Sequence, residues 1–222
     1  MRITEASIDI SGRVVTELAV RSGRAADGGI SLPFLISMAQ QAGDGDHVDI
    51  GSLYGASAIG VALMKKELGL KGDVYCIDPY DTEKRDRTVL AAHDNLKSDV
   101  SASAEALLAN AEHFGVELKL VQAESEPWPE ELKDNTFVSA YIDGDHVGKA
   151  PTQDFENLRG RVSGYIGTDN FEEEYPDVVK SMIYAMDTEE WFLLYKNIIF
   201  IAIRRILPMR SAPNGNSQML AR

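Results

Sequence analysis

The chain has 222 residues, 44% of them hydrophobic and 26% charged, which is enough for one well-buried core and short for a second full domain. Its formal net charge of −13 repels phosphate backbones and anionic lipid, so the expected partner is a small neutral or cationic molecule, with no nucleic acid and no membrane. The single cysteine, Cys76, lies in an apolar run, no basic-then-apolar leader opens the chain and no apolar run reaches bilayer length, a combination that predicts a cytoplasmic protein.

Residues 1–29 read as an irregular or helical lead-in with a glycine break at Asp27-Gly28-Gly29. Ile30 to Gln41 carries apolar residues at helical spacing until Gly43 and Gly45 stop it. From His47 the pattern alternates, predicting strand 47–51, helix 56–68, strand 73–78, a helix ending near Phe114, and strands 117–123 and 136–142. A short helix 151–158, strand 162–168 and helix 175–186 follow. Trp191 to Lys196 and Ile198 to Arg205 are strand-like runs around Asn197 and are read as an antiparallel hairpin. Pro208 to Arg222 is rich in Pro, Ser, Asn and Gly and reads as a disordered tail. Strands separated by helices imply right-handed crossovers, hence an α/β fold with a doubly wound, mostly parallel sheet. The predicted organisation is a lead-in over 1–29, one domain over 30–207 and a tail over 208–222.

In such a sheet, ligands bind at the carboxyl ends of the strands, near the point where strand order reverses. The first predicted strand ends in Gly51-Ser52-Leu53-Tyr54-Gly55 and runs into a helix, so backbone without Cβ can approach a ligand beside outward-pointing helix amides. The loop lacks both the Gly-x-Gly-x-x-Gly of dinucleotide folds and the Gly-Lys-Ser/Thr of nucleoside triphosphate loops. Asp78 closes the second strand, where a carboxylate can accept both hydroxyls of a ribose, and Tyr80 offers a nearby aromatic surface. Asp78-Pro79 is also a common turn starter. Asp143, Asp169 and Asn170, from the ends of two adjacent strands, form an oxygen-rich set suited to Mg²⁺ or another hard divalent cation, although each residue type also caps helices and turns. His146 is the candidate general base, with Lys149 as the second choice.

Asp49-Ile-Gly-Ser-Leu-Tyr-Gly-Ala-Ser57, Val74-Tyr-Cys-Ile-Asp-Pro-Tyr80, Tyr141-Ile-Asp-Gly-Asp-His146 and Tyr165-Ile-Gly-Thr-Asp-Asn170 together resemble the class I S-adenosylmethionine-dependent methyltransferases. The small-molecule O-methyltransferases of the catechol, caffeoyl-CoA and macrocin type are the most similar subgroup. The resemblance spans roughly residues 30 to 205 and implies a Rossmann-like, seven-stranded sheet whose last strand is antiparallel. It implies that Gly51, Ser52 and Gly55 line the methionine and ribose of S-adenosylmethionine, that Ser57 starts the helix beneath, and that Asp78 binds the ribose hydroxyls. Glu124 and Ser125 would contact adenine, and Tyr54, Pro79, Tyr80 and Asp143 would complete the cofactor set. Asp143, Asp169 and Asn170 would hold the divalent ion, and His146 would deprotonate the hydroxyl of a small acceptor such as a sugar, polyketide or phenol. The family pattern does not account for the charged segment around Lys84-Arg-Asp-Arg87, which is read as part of a lid or acceptor pocket. Two further readings keep the same fold: a metal-dependent hydroxylase or tailoring enzyme, and a non-catalytic cofactor-binding protein. A homo-oligomer is compatible with all of them.

Overall fold

A computed structural model of the chain describes residues 2–22, 31–80, 103–188, 190–196 and 201–205. The charged segment after Tyr80, the glycine break at 27–29, the turn at Asn197 and the tail lie outside the described residues.

In chain order the elements are α1 (Glu5–Ser22), α2 (Leu32–Ala42), β1 (His47–Ile50), α3 (Ala56–Leu68), β2 (Val74–Ile77), α4 (Ala104–His113) and β3 (Lys119–Val121). A 3-10 turn at Glu130–Leu132 precedes β4 (Phe137–Ile142), α5 (Ala150–Arg159), β5 (Val162–Thr168), α6 (Pro176–Asp187), β6 (Trp191–Lys196) and β7 (Ile201–Arg205). The strands form one seven-stranded sheet in the order β3-β2-β1-β4-β5-β7-β6. The first five are parallel to their neighbours, and β7 runs antiparallel to both β5 and β6. The predicted closing hairpin is therefore present, with β7 slotted between β5 and β6.

Two apolar layers flank the sheet, as a doubly wound fold requires. On one face Ile10, Val14 and Leu18 of α1 pack with Leu35 and Ile36 of α2, Ile59 and Met64 of α3, and Leu107 of α4. On the other, Phe155 and Leu158 of α5 and Met182 and Ala185 of α6 cover Val48, Ala140, Ile166 and Ile203. The predicted lead-in is thus, over its first part, a helix of the domain. Its apolar residues recur every four positions, and truncating one such fully buried side chain to alanine costs about 2–5 kcal/mol.

Strand β3 is the largest departure from the sequence reading, with three residues where seven were predicted. Lys119 is exposed and Leu120 half-buried at this sheet edge, and β3 pairs with β2 over Tyr75 to Ile77 only, so the residues on either side of 119–121 have no ladder to extend. Order reverses between β1 and β4, the central pair. Their carboxyl ends, with those of β2 and β5, define where a ligand can sit. Among the described residues no helix is long and apolar enough to cross a membrane.

Candidate active site

The loop after β1 turns sharply, with φ of +85° at Gly51, +46° at Leu53 and +91° at Gly55. Gly55 is the N-cap of α3 and supplies no side-chain cap. Each turn of the loop is nevertheless held. The Gly51 amide donates to the Ile77 carbonyl at 2.9 Å and the Gly55 amide to the Ser52 carbonyl at 2.7 Å. Asp78, buried at the end of β2, accepts from the Leu53 amide through Oδ2 at 3.0 Å and from the Tyr80 amide through Oδ1 at 2.8 Å. The Tyr80 hydroxyl donates to the Leu53 carbonyl at 2.9 Å. The turn-starting reading of Asp78 is therefore realised, and it pins the glycine loop.

Beneath the loop sits a carboxylate absent from the predicted site. Asp49, in the middle of β1 and fully buried, pairs in register with Cys76 of β2 and Tyr141 of β4. Its Oδ2 accepts from the Ser57 hydroxyl at 2.5 Å, while Oδ1 is buried with no hydrogen-bond partner among the described residues. Burial first, then the charges of Asp143 and Asp78, push its carboxyl up to about 7, against the lowering effect of Ser57. The Ala58 amide also donates to this carboxylate, so Asp49 caps α3 from below in place of the missing N-cap side chain. A lone Asp between Val48 and Ile50 in a fully buried strand was the sequence signal for this role. Desolvation also raises the thiol of Cys76 far above its ordinary range.

At the ends of β4 and β5 a second acidic group forms. His146 Nε2 lies 3.3 Å from Asp143 Oδ1 in ion-pair contact but off the hydrogen-bonding axis, leaving that nitrogen without a hydrogen-bond partner among the described residues. The His146 ring stands edge-on to Tyr175 at 5.2 Å. Burial disfavours the imidazolium, but Asp143, with Asp169 and Asp145 behind it, outweighs burial and raises its pKa. Asp169 is buried, and desolvation followed by the Asp143 charge pushes it up to about 7. Ser31, at the start of α2, donates to Asp169 Oδ1 at 2.6 Å, and the Tyr141 phenol also hydrogen-bonds this carboxylate. Asn170 follows in the left-handed region at φ +55°.

The remaining predicted residues scatter more widely. Ser52 is buried, with its hydroxyl on the Asp49 carbonyl at 3.3 Å, and Tyr54 and Pro79 are half-buried in the two loops. Glu124 is exposed after β3. Ser125 is half-buried; its carbonyl accepts from Asn157 at 2.8 Å and its side chain bonds the buried Asp154, which desolvation pushes up to about 6. Lys149 is exposed at the N-cap of α5, so nothing withdraws it from water. The structure thus favours His146 over Lys149 as the withdrawn basic group. Ser31, Asp49, Tyr141 and Tyr175 were missed, three of them because they join the cluster only through the fold.

A strand order of 3-2-1-4-5-7-6, with a glycine loop at the reversal and an acidic residue after β2, defines the class I methyltransferase fold. The sequence profile of a family described as a methyltransferase domain matches residues 48–169, more than half the chain. The chain belongs to this family and is an S-adenosylmethionine-dependent methyltransferase. It is similar to a candidate caffeoyl-CoA O-methyltransferase from Staphylococcus aureus, with 14% identity and a TM-score of 0.63, over 87% of this chain and 90% of that one. An O-methyltransferase from Bacillus cereus in complex with S-adenosylhomocysteine (SAH) is 18% identical, with a TM-score of 0.60 over 89% of this chain and 91% of that one. A SAH-bound methyltransferase from Podospora anserina is 14% identical, with a TM-score of 0.56 over 92% of this chain and 89% of that one. At these identities the likeness is one of fold. No curated protein matches the sequence.

Proposed function

We propose that the chain is an O-methyltransferase for a small hydroxylated acceptor, with the cofactor over the Gly51–Gly55 loop and the acceptor hydroxyl between His146 and Asp169. The observation that carries this reading is the juxtaposition of a half-buried imidazole with the half-buried Asp143 and buried Asp169 carboxylates at the ends of β4 and β5. A hydroxyl is a poor nucleophile until its proton leaves, and His146 Nε2, with no hydrogen-bond partner among the described residues, is the group to accept it. Asp143 then steadies the imidazolium formed. S-adenosylmethionine supplies an electrophilic methyl group on a sulfonium, and the protein's part is to orient the acceptor oxygen in line with it. A cofactor bearing that positive charge suits a site holding Asp49, Asp78, Asp143 and Asp169, whereas a phosphate-rich ligand would be repelled.

The same negative charge supports a divalent cation. Asp169 is pushed up first by burial and then by the neighbouring Asp143 charge, and oxygen donors fit Mg²⁺. Among the described residues no three His, Cys, Asp or Glu side chains form a group that could hold an ion. The proposed set is instead two carboxylates and an amide, Asp143, Asp169 and Asn170. Bound there, such an ion lowers the pKa of a coordinated hydroxyl.

The decisive experiment is a calorimetric titration of the purified protein with SAH, repeated with Mg²⁺ and with chelator. Micromolar binding is expected under both conditions and opens a screen of hydroxylated acceptors, in which turnover is expected to fall on chelation. No binding in either condition would overturn the cofactor assignment, and turnover indifferent to chelation would remove the metal.

A further inference from the structure

We propose that Asn110 is a positioning residue for the cofactor loop, holding it from the helix side and itself oriented by Arg21 of α1. The proposal rests on the reading that the 51–55 loop cradles the cofactor. Asn110 lies on α4 and is 6% exposed, remote in sequence from every strand end. Its Nδ2 donates to the Tyr54 carbonyl at 3.1 Å, and its Oδ1 accepts from Arg21 Nε at 2.9 Å. A guanidinium only donates and a carbonyl only accepts, so a single orientation of the carboxamide serves both partners. Arg21 therefore fixes which end of Asn110 faces the loop.

The loop needs such a hold. Leu53 has a side chain yet sits at φ +46°, and Gly51 and Gly55 on either side are also left-handed. Asp78 and Tyr80 both grip the loop at Leu53 and both come from the β2 side. Asn110 grips the next peptide, Tyr54-Gly55, whose orientation sets the Gly55 amide and the first turn of α3. The Gly55 amide of that peptide already donates to the Ser52 carbonyl within the loop; Asn110 holds its carbonyl end from outside the loop, on the helix side.

The test is Asn110→Asp. It keeps the shape and the acceptor for Arg21, removes the donor, and turns an anionic oxygen against the Tyr54 carbonyl. SAH affinity by calorimetry is expected to fall about tenfold, the loss of one hydrogen bond plus a repulsion. Amide hydrogen exchange is expected to quicken across Tyr54–Ser57 while α1 keeps its protection. Arg21→Leu, which leaves the amide in place but unoriented, is expected to weaken SAH by about threefold. Asn110→Ala serves as the uncharged second variant. Affinity within twofold of the wild type for both Asn110 variants, with exchange at Tyr54–Ser57 unchanged, overturns the proposal. Protection lost equally across all helices would overturn it too, as the mark of a merely structural residue. If the wild type itself fails to bind SAH, the cofactor reading falls, and the exchange rates at Tyr54–Ser57 still decide whether Asn110 anchors the loop.

Discussion

A Cβ placed on Gly51 would stand 2.2 Å from the carbonyl oxygen of Asp143, so the loops after β1 and β4 touch backbone to backbone. The Asp143 amide also donates to the Ile50 carbonyl at 2.8 Å, which continues the β1–β4 pairing up to the contact. The two loops that carry the glycine turn and the His146 cluster are thereby held at one separation.

Gly51→Ala is expected to break that contact. Its φ of +85° already disfavours any side chain by about 1–2 kcal/mol, and here the obstacle is backbone, which cannot rotate away. Gly55→Ala meets only side-chain ends, Ile59 Cδ1 at 3.2 Å and Leu107 Cδ1 at 3.4 Å, at a similar φ of +91°. Thermal unfolding with SAH titration is expected to show Gly51→Ala losing both stability and binding, and Gly55→Ala losing less of each. Equal losses would mean that conformation alone, and not the Asp143 contact, demands glycine at 51.

Asp78 holds the loop, and in the proposed function it also meets the ribose of the cofactor; two variants separate the two roles. Asp78→Ala removes both and is expected to weaken SAH by about 1.5–3 kcal/mol, roughly ten- to a hundredfold. Tyr80→Phe removes only the hydroxyl on the Leu53 carbonyl and leaves the carboxylate, so a loss of about threefold is expected. If Tyr80→Phe matches Asp78→Ala, the carboxylate acts through the loop and not on the ligand.

Much of this was legible in the sequence because periodicity and turn chemistry are local. The strands His47–Ile50, Val162–Thr168 and Trp191–Lys196 and the helix Ala56–Leu68 fall at or within one residue of their predicted bounds. Glycines 51 and 55 and the Asp78-Pro79 step announce the tight loops after β1 and β2 by residue type alone. Asn110 and Ser31 carry no such mark. Each is an ordinary polar residue at a helix position whose partner lies far along the chain, and only the packing of α4 and α2 on the sheet brings them to Tyr54 and Asp169. For residues 1–29 the sequence left irregular and helical readings both open, because the apolar stripe of Ile10, Val14 and Leu18 is thin among polar residues.

Burial of Asp49 predicts a definite pH signature. Its folded pKa, about 7, stands above the ordinary 3.8, so the folded protein binds its proton more tightly than the unfolded chain does. The associated stability is complete below pH 3.8 and is lost as pH rises through about 7, with a ceiling on the order of 4 kcal/mol. Buried His47, lowered to about 3 chiefly by desolvation, acts in the opposite sense, losing stability as pH falls below its ordinary 6.5. The comparison is therefore between wild type and Asp49→Asn, in which His47 cancels. The variant is expected to gain several degrees in Tm relative to wild type between pH 5 and pH 8. A Tm difference that stays constant over that interval would show that Asp49 is ionised throughout.

His146 and Lys149 compete for one role, and the structure gives them different surroundings. His146 is ringed by Asp143, Asp169 and Tyr175 and largely withdrawn from water; Lys149 is exposed at the head of α5. A base must touch the acceptor hydroxyl, so burial at the cluster counts for more than intrinsic basicity. With an acceptor in hand, His146→Ala is expected to lower kcat by about 10²–10⁴-fold, the usual contribution of a positioned base. SAH affinity should stay within about twofold, because His146 belongs to the acceptor side of the site. Lys149→Ala should leave kcat within about twofold, since its exposed side chain stands outside the cluster. The reverse pattern, with Lys149 essential and His146 dispensable, would move the base to α5 and leave His146 as the charge partner of Asp143.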